Sequence, residues 1–342
     1  MSRTVTLDLS ECFRGSAPAL RRKWGDLGGL ASLNRRIRDG SWSMDLPTDE
    51  RVVAAVEHLR RGSKGSPAFA GQPGSLAGAR LWVDALGLDL ALVSPGGDIP
   101  AATTALVVQL GTPAVEALVD VAIERGIRVA VACSSDEGQP VQPPEGGVWV
   151  EDPWGAEGGR GAIGTGVLVA GALAGLDVSA ALSGARWMFQ VSDGPVGESV
   201  CWSLARVLRL LSVEGGRDAI IHIAGSAPLL ALATWAAATQ AETLAGISLH
   251  TPTRPLPAVV LAGDVGWKAA IASAPRERVA LVWEVVGGAG EADWIAALLD
   301  AGVPVLRVRL HARDAESVGA CVALWLRALE CLAAMEERGG ES

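Results

Sequence analysis

The stretch TALVVQLGTPAVEALVDVAIERGIRVAVACS, residues 104–134, decides the fold class. It opens with an apolar, β-branched run (104–111) and turns at Gly111-Thr112. Helical periodicity then carries it to a glycine stop at Gly126, and a second apolar run (127–134) follows. Strands apolar on both faces and separated by a helix belong to a parallel sheet covered by helices on both sides.

The same alternation extends outward in both directions. DLALVS (89–94) follows the helical SLAGARLWVDALG, and GVWVED (147–152) comes after the central stretch. A helical block then occupies roughly 160–212. Beyond it the alternation resumes with DAIIHIAGS (218–226), a helix at 228–246, PAVVLAG (257–263), RVALVWEVVG (278–287), a helix at 291–301 and VPVLRVRLHA (303–312). AESVGACVALWLRALECLAAMEERG (315–339) is a closing helix. Before about residue 66 the chain is charged and helical in pattern, with Pro47-Thr48-Asp49 as a helix start. The expectation is an α/β protein of two successive units. Its segments are a helical 1–66, a first α/β sandwich at 67–155, a helical connection at 156–215 and a second sandwich at 216–335 ending in a helix.

Composition narrows the function. Of 342 residues, 49% are hydrophobic and 20% charged, which supplies a core. The balance of 29 basic against 38 acidic residues gives a net charge of −9, so neither nucleic acid nor a membrane surface is an expected partner. Cys12, Cys133, Cys201, Cys321 and Cys331 are scattered without a CxxC pair and read as reduced thiols of a cytoplasmic protein. The opening MSRTVTLDLSECFRGS has no apolar signal region, and no window reads as a membrane span.

Two turns could receive an anion. In FAGQPGSLAGARLWVDALG (69–87), Gly74 and Ser75 stand where backbone N–H groups of a helix start are exposed. Gly111-Thr112 before Pro113 repeats the arrangement. Singly, a plain connecting loop and a capping threonine account for them. Together they fit the crevice beyond the carboxyl ends of parallel strands, where such sheets bind ligands. Arg160 follows Gly158-Gly159 and is either a placed cation for an oxyanion or the partner of Glu151, Asp152 or Glu157. Glu242 is the one acid on the apolar helix 228–246. Buried, it would be a general base of raised pKa; exposed near the helix end, it would be ordinary. His58 and His311 read as solvent-side and His222 as packed core, which leaves His250 as the histidine to consider for a site. No metal-ligand spacing, P-loop, GxSxG, HExxH or dinucleotide fingerprint is present, so no metal or cofactor is expected.

From Asp152 onward, DPWGAEGGRGAIGTGVLVAGALAGLDVSAALSGA resembles the phosphoglucose isomerase family segment D-x-V-G-G-R-[YF]-S-x-x-S-A-V-G-L…G-x-D…L-x-G-A. Asp152, Gly158-Gly159-Arg160, Gly175, Asp177 and Gly184-Ala185 fall into register. GQPGSLAGARL, LVVQLGTPAVEAL, VAVACSSDEGQP and WAAATQAETLAG are similar to further family segments, and the likeness runs over about 65–335. Its late strand and helix resemble the subgroup often joined to transaldolase. The resemblance implies two three-layer αβα sandwiches of the sugar isomerase fold, a sugar phosphate or similar small anion as ligand, and a homodimer. It also implies interconversion of an aldose and a ketose phosphate, of the glucose 6-phosphate to fructose 6-phosphate type, without a cofactor. On that resemblance Ser75 and Thr112, with Gly74, Gly111, Gly159 and His250, would line the substrate site. Arg160 would stabilise the cis-enediol(ate), and Glu242 would move the proton between C2 and C1. The sequence also departs from the family. Its Ser-Lys pair is replaced near Gln109-Leu110, Pro73 takes a glycine's place, and Ala238, Ala245-Gly246 and Gly161-Ala162 replace polar motif residues. The family's terminal lysine motif has no counterpart. A non-catalytic relative that binds a sugar phosphate or partners another enzyme is therefore the second reading, and an unrelated α/β enzyme the third.

Overall fold

The computed structural model describes residues 4–13, 30, 34, 35, 37, 46–61, 65–133, 147–152, 158–214, 219–246, 258–261, 278–287 and 291–339. They fall into two compact units: a continuous one, Asp45–Ser183, and a split one, Met1–Met44 with Gly184–Ser342.

The split unit begins with β1 (Val5–Asp8), a strand inside the stretch expected to be helical. The continuous unit opens on α1 (Asp49–Arg60), where Thr48 caps the first turn by accepting from Arg51 N at 3.4 Å. Then come β2 (Ser66–Ala70), α2 (Pro73–Leu86), β3 (Ala91–Val93), β4 (Thr103–Gln109), α3 (Pro113–Glu124), β5 (Arg128–Cys133) and β6 (Val148–Glu151). The strands form one parallel sheet in the order β3-β2-β4-β5-β6. Val115, Leu118 and Ala122 of α3 pack on Ala68, Ala70, Leu106, Val108, Val129 and Val131 across one face. β2 carries no β-branched residue and has Pro67 in a central strand, where the register with β4 shifts. Its local composition therefore hides it; its place is set by neighbours on both sides.

A 3-10 turn (Gly158–Ile163), α4 (Thr165–Leu173) and α5 (Val178–Ser192) follow. α4 lies over the other face of the sheet, with Gly166 above Gln109 and Ala132. It is helical with no amphipathic stripe, since Thr165 through Gly171 are all buried.

The split unit continues with α6 (Val200–Arg209), β7 (Ala219–Ala224), α7 (Leu230–Gly246), β8 (Ala258–Leu261), β9 (Arg278–Val285), α8 (Glu291–Asp300), β10 (Val305–Leu310) and α9 (Ala315–Gly339). Its sheet order is β1-β10-β9-β7-β8, parallel except for β1 at the edge. One face is apolar against Leu298 of α8, through Ile221, Ile223, Ala280, Val282 and Val305. On the other face His222 and Trp283 meet Gln240 of α7 and Trp325 of α9. Residues 315–335 of α9 are long and apolar enough to cross a membrane, yet apart from the exposed Glu316 and the half-buried Ala334 they are buried in protein. It is a core helix.

Across the continuous unit's sheet β3-β2-β4-β5 stand in the order second-first-third-fourth, and β8-β7-β9-β10 stand the same way in the split unit. The remaining edge strand is β6 in the one and β1, which comes first in the chain and runs antiparallel, in the other. In that order the chain leaves the first and third strands in opposite directions, which opens a crevice at their carboxyl ends. The crevice of the continuous unit lies between β2 and β4, and that of the split unit between β7 and β9.

Candidate functional site

In the continuous unit the two turns singled out in the sequence flank the same crevice. Gly71 to Ser75 joins β2 to α2, and Leu110 to Thr112 joins β4 to α3. Each helix has proline in its first turn, so Pro73 and Pro113 withhold no N–H that the helix itself would use. Gln72 and Thr112 stand at the cap positions, and neither side chain makes a capping hydrogen bond. The hydroxyl of Thr112 is buried and has no partner among the described residues. Ser75 is 1% exposed, and its Oγ also makes no hydrogen bond.

The 3-10 turn that follows β6 is fastened against α2. Trp82 Nε1 donates to the Ala162 carbonyl at 2.6 Å. A Cβ at Gly78 would stand 2.7 Å from the backbone of Ala162, so only glycine lets the two segments meet so closely. One residue earlier, a Cβ at Gly161 would stand 3.4 Å from Ser75. The backbone of Gly159 and Arg160 therefore runs in a turn held to the start of α2. The role assigned to the Arg160 guanidinium falls outside what is described.

The turn passes into α4 over a polar floor. Asp152, 1% exposed and just past β6, accepts from Gly166 N at 3.2 Å and so places a carboxylate at the positive end of α4. Gln109, the last residue of β4, is 2% exposed. Its Oε1 lies so close under Gly166 that a Cβ there would stand 2.6 Å away. Its Nε2 makes no hydrogen bond, nor does Oγ1 of the fully buried Thr165. An unmet buried amide or hydroxyl costs about 1–3 kcal/mol, so several in one place mark ground that a folded core avoids unless something else fills it.

Sequence reasoning located Gly74, Ser75, Gly111 and Thr112 at this crevice. It missed Gln109 and Thr165. A polar residue ending an apolar strand, and a hydroxyl opening an alanine- and glycine-rich helix, were the available signals. Glu242 lies in the other unit, near the end of α7, and it is exposed. Of the two readings the sequence left open, the structure takes the exposed one: Glu242 continues the exposed i+4 row of Leu230, Thr234 and Ala238 near the end of α7. His250 lies outside the described residues. His222 is fully buried as expected, and the described cysteines are free. Among the described residues no group of His, Cys, Asp or Glu could hold a metal ion.

The fold and the crevice together define an α/β protein of the sugar isomerase fold, with mainly parallel sheets. No family model matches the chain, and no curated protein matches it. Solved structures do. A hypothetical protein from Thermus thermophilus superposes with a TM-score of 0.63 at 16% identity, over 93% of this chain and 88% of that one. A glucose-6-phosphate isomerase from Chlamydia trachomatis gives 0.63 at 14% identity, over 91% and 77%. A glucosamine-6-phosphate deaminase from Thermotoga maritima gives 0.52 at 9% identity, over 85% and 92%. At these identities the likeness is one of fold.

Proposed function

We propose that the chain binds a phosphorylated sugar in the crevice between β2 and β4 and acts in the manner of a phosphosugar isomerase. The observation that supports this most is the pair of buried hydroxyls, Ser75 Oγ and Thr112 Oγ1, left without partners at the starts of α2 and α3. Two helix N-termini with free hydroxyl donors suit a phosphate dianion. The names of the solved structures with this fold, an isomerase and a deaminase of hexose phosphates, point to the same ligand class. The finer reading is aldose–ketose isomerisation of the glucose 6-phosphate to fructose 6-phosphate kind, with Glu242 as base and Arg160 as the cation for the enediolate.

A non-catalytic sugar-phosphate binder is the second reading, and the exposure of Glu242 favours it. A base gains its strength in a carbon-acid reaction from a dry, fixed setting. The deciding experiment is calorimetry with fructose 6-phosphate and glucose 6-phosphate, followed by a coupled assay of fructose 6-phosphate conversion on wild type and Glu242→Gln. The isomerase reading expects binding, turnover and a loss of kcat of about 100-fold or more in the variant. Binding without turnover leaves the binder, and turnover untouched by the substitution removes Glu242 from the mechanism.

A further inference from the structure

We infer that the start of α4 is the floor of the ligand site, and that Gln109 and Thr165 are binding residues that hold the uncharged, hydroxyl-bearing part of the ligand rather than its phosphate. This rests on the sugar-phosphate reading above. Three polar atoms without partners among the described residues (Ser75 Oγ, Gln109 Nε2 and Thr165 Oγ1) belong to side chains 1%, 2% and 0% exposed. All three border one turn of chain: a Cβ built on Gly161 would stand 3.4 Å from Ser75 Oγ, one built on Gly166 would stand 2.6 Å from Gln109 Oε1, and Thr165 lies between those glycines in sequence. Gly166 closes over the oxygen of the Gln109 carboxamide, which leaves its nitrogen as the donor still to be met.

Charge decides which end of the ligand goes there. The Asp152 carboxylate is buried at the first turn of α4 and already accepts from Gly166 N. A phosphate dianion set beside it would face a buried like charge, which is strongly unfavourable where water cannot screen. The first turn of α2 has no acid, and the one in the first turn of α3, Glu116, is exposed to screening water rather than buried, so the phosphate belongs to Ser75 and Thr112. Neutral donors and acceptors at Gln109 and Thr165 suit sugar hydroxyls. Gln109 and Thr112 are three residues apart, at most about 11 Å along an extended chain, so one small ligand can reach both.

Calorimetry on the full chain separates the possibilities, with inorganic phosphate, glucose 6-phosphate and fructose 6-phosphate as probes. Gln109→Leu and Thr165→Val should each weaken the sugar phosphates by about tenfold or more while leaving inorganic phosphate unchanged. Ser75→Ala should weaken all three. Each of the first two variants removes a polar atom that meets no protein partner, so Tm should hold or rise. Unchanged sugar-phosphate affinity together with a raised Tm would show a purely structural floor and overturn the inference alone. An equal loss for inorganic phosphate would assign these residues to the phosphate and overturn it too. A wild-type protein that binds none of the three probes removes the sugar-phosphate reading, and this inference with it.

Discussion

The two crevices share a strand order and differ in what their polar side chains do. Around β2 and β4, Ser75, Gln109, Thr112 and Thr165 each keep a buried polar atom that makes no hydrogen bond among the described residues. Around β7 and β9 the buried polar groups face one another, through hydrogen bonds at His222 and through ion pairs rather than hydrogen bonds at Glu284. His222 sits between Gln240, at 2.9 Å from Nε2, and Trp283, whose indole N–H donates to Nδ1 at 3.2 Å. Glu284, 2% exposed, is held by Arg307 at 2.6 Å and by Arg309 at 3.0 Å. A polar interior that closes on itself holds a fold together. One that does not is open to a ligand. Topology alone makes both crevices candidates, and what separates them is that Glu284 faces opposite charge while Ser75, Gln109, Thr112 and Thr165 each keep an atom with no partner among the described residues.

That contrast can be broken in several ways, beginning with the largest effect. In the split unit Arg327 lies buried on α9, paired with Glu330 at 3.1 Å and with Asp193. Burial alone would lower its pKa, and the two carboxylates more than offset this and raise it. Arg327→Met would strand two acids around an apolar side chain and should cost about 3–5 kcal/mol, read from urea unfolding. A loss below about 1 kcal/mol would show that this network is not what holds α9.

His222 supplies the next test. Burial pushes its pKa down from 6.5 to about 4, against a smaller upward pull from Gln240. The unfolded chain therefore takes up this proton at a pH where the native chain refuses it. The stability this group contributes is complete above about pH 6.5 and is lost as pH falls toward 4. The loss is roughly 3 kcal/mol over that window. His222→Phe should be less stable at pH 7 and should show a flatter fall in urea midpoint between about pH 6.5 and 4.5. An unchanged slope would mean that His222 already takes the proton in the native state.

A smaller effect is expected in the continuous unit. Gly78→Ala brings a methyl group to within 2.7 Å of the Ala162 backbone, and main chain cannot yield as a side chain can. It should cost about 1–3 kcal/mol, and it should weaken sugar-phosphate binding more than inorganic phosphate binding, because the displaced turn leads into α4. Equal weakening of both would place the turn at the phosphate instead. The smallest change belongs to Arg51–Glu151, an ion pair at 3.0 Å with both side chains about half exposed. Arg51→Ala should alter stability by no more than about 0.5 kcal/mol, checked at low and high salt.

Much of the fold could be read from particular residues. The runs read at 104–111, 127–134, 278–287 and 303–312 contain the strands Thr103–Gln109 (from one residue earlier), Arg128–Cys133, Arg278–Val285 and Val305–Leu310, because β-branched residues fill them and turn residues bound them. β2 was not legible, since Ser66-Pro67-Ala68-Phe69-Ala70 has no local strand preference and gains its place from β3 and β4. β1 was hidden in a charged opening, and it forms by pairing with β10 near the other end of the chain. Glu242 was left open for a related reason: an acid alone on an apolar helix can be buried or exposed near the helix end, and α7 exposes it.

By itself the sequence determined the α/β class, the alternation of strand and helix in two units, and the glycine-led turns that bear Ser75 and Thr112. These depend on local preference and hydrophobic period, which short stretches carry intact. Only the tertiary structure decided which polar groups are answered. Gln109 lies 57 positions before Gly166 in the chain and His222 18 before Gln240, and whether each finds its partner depends on how distant segments pack. A hydrogen bond left unmade is a property of three-dimensional surroundings, and no window of sequence contains it.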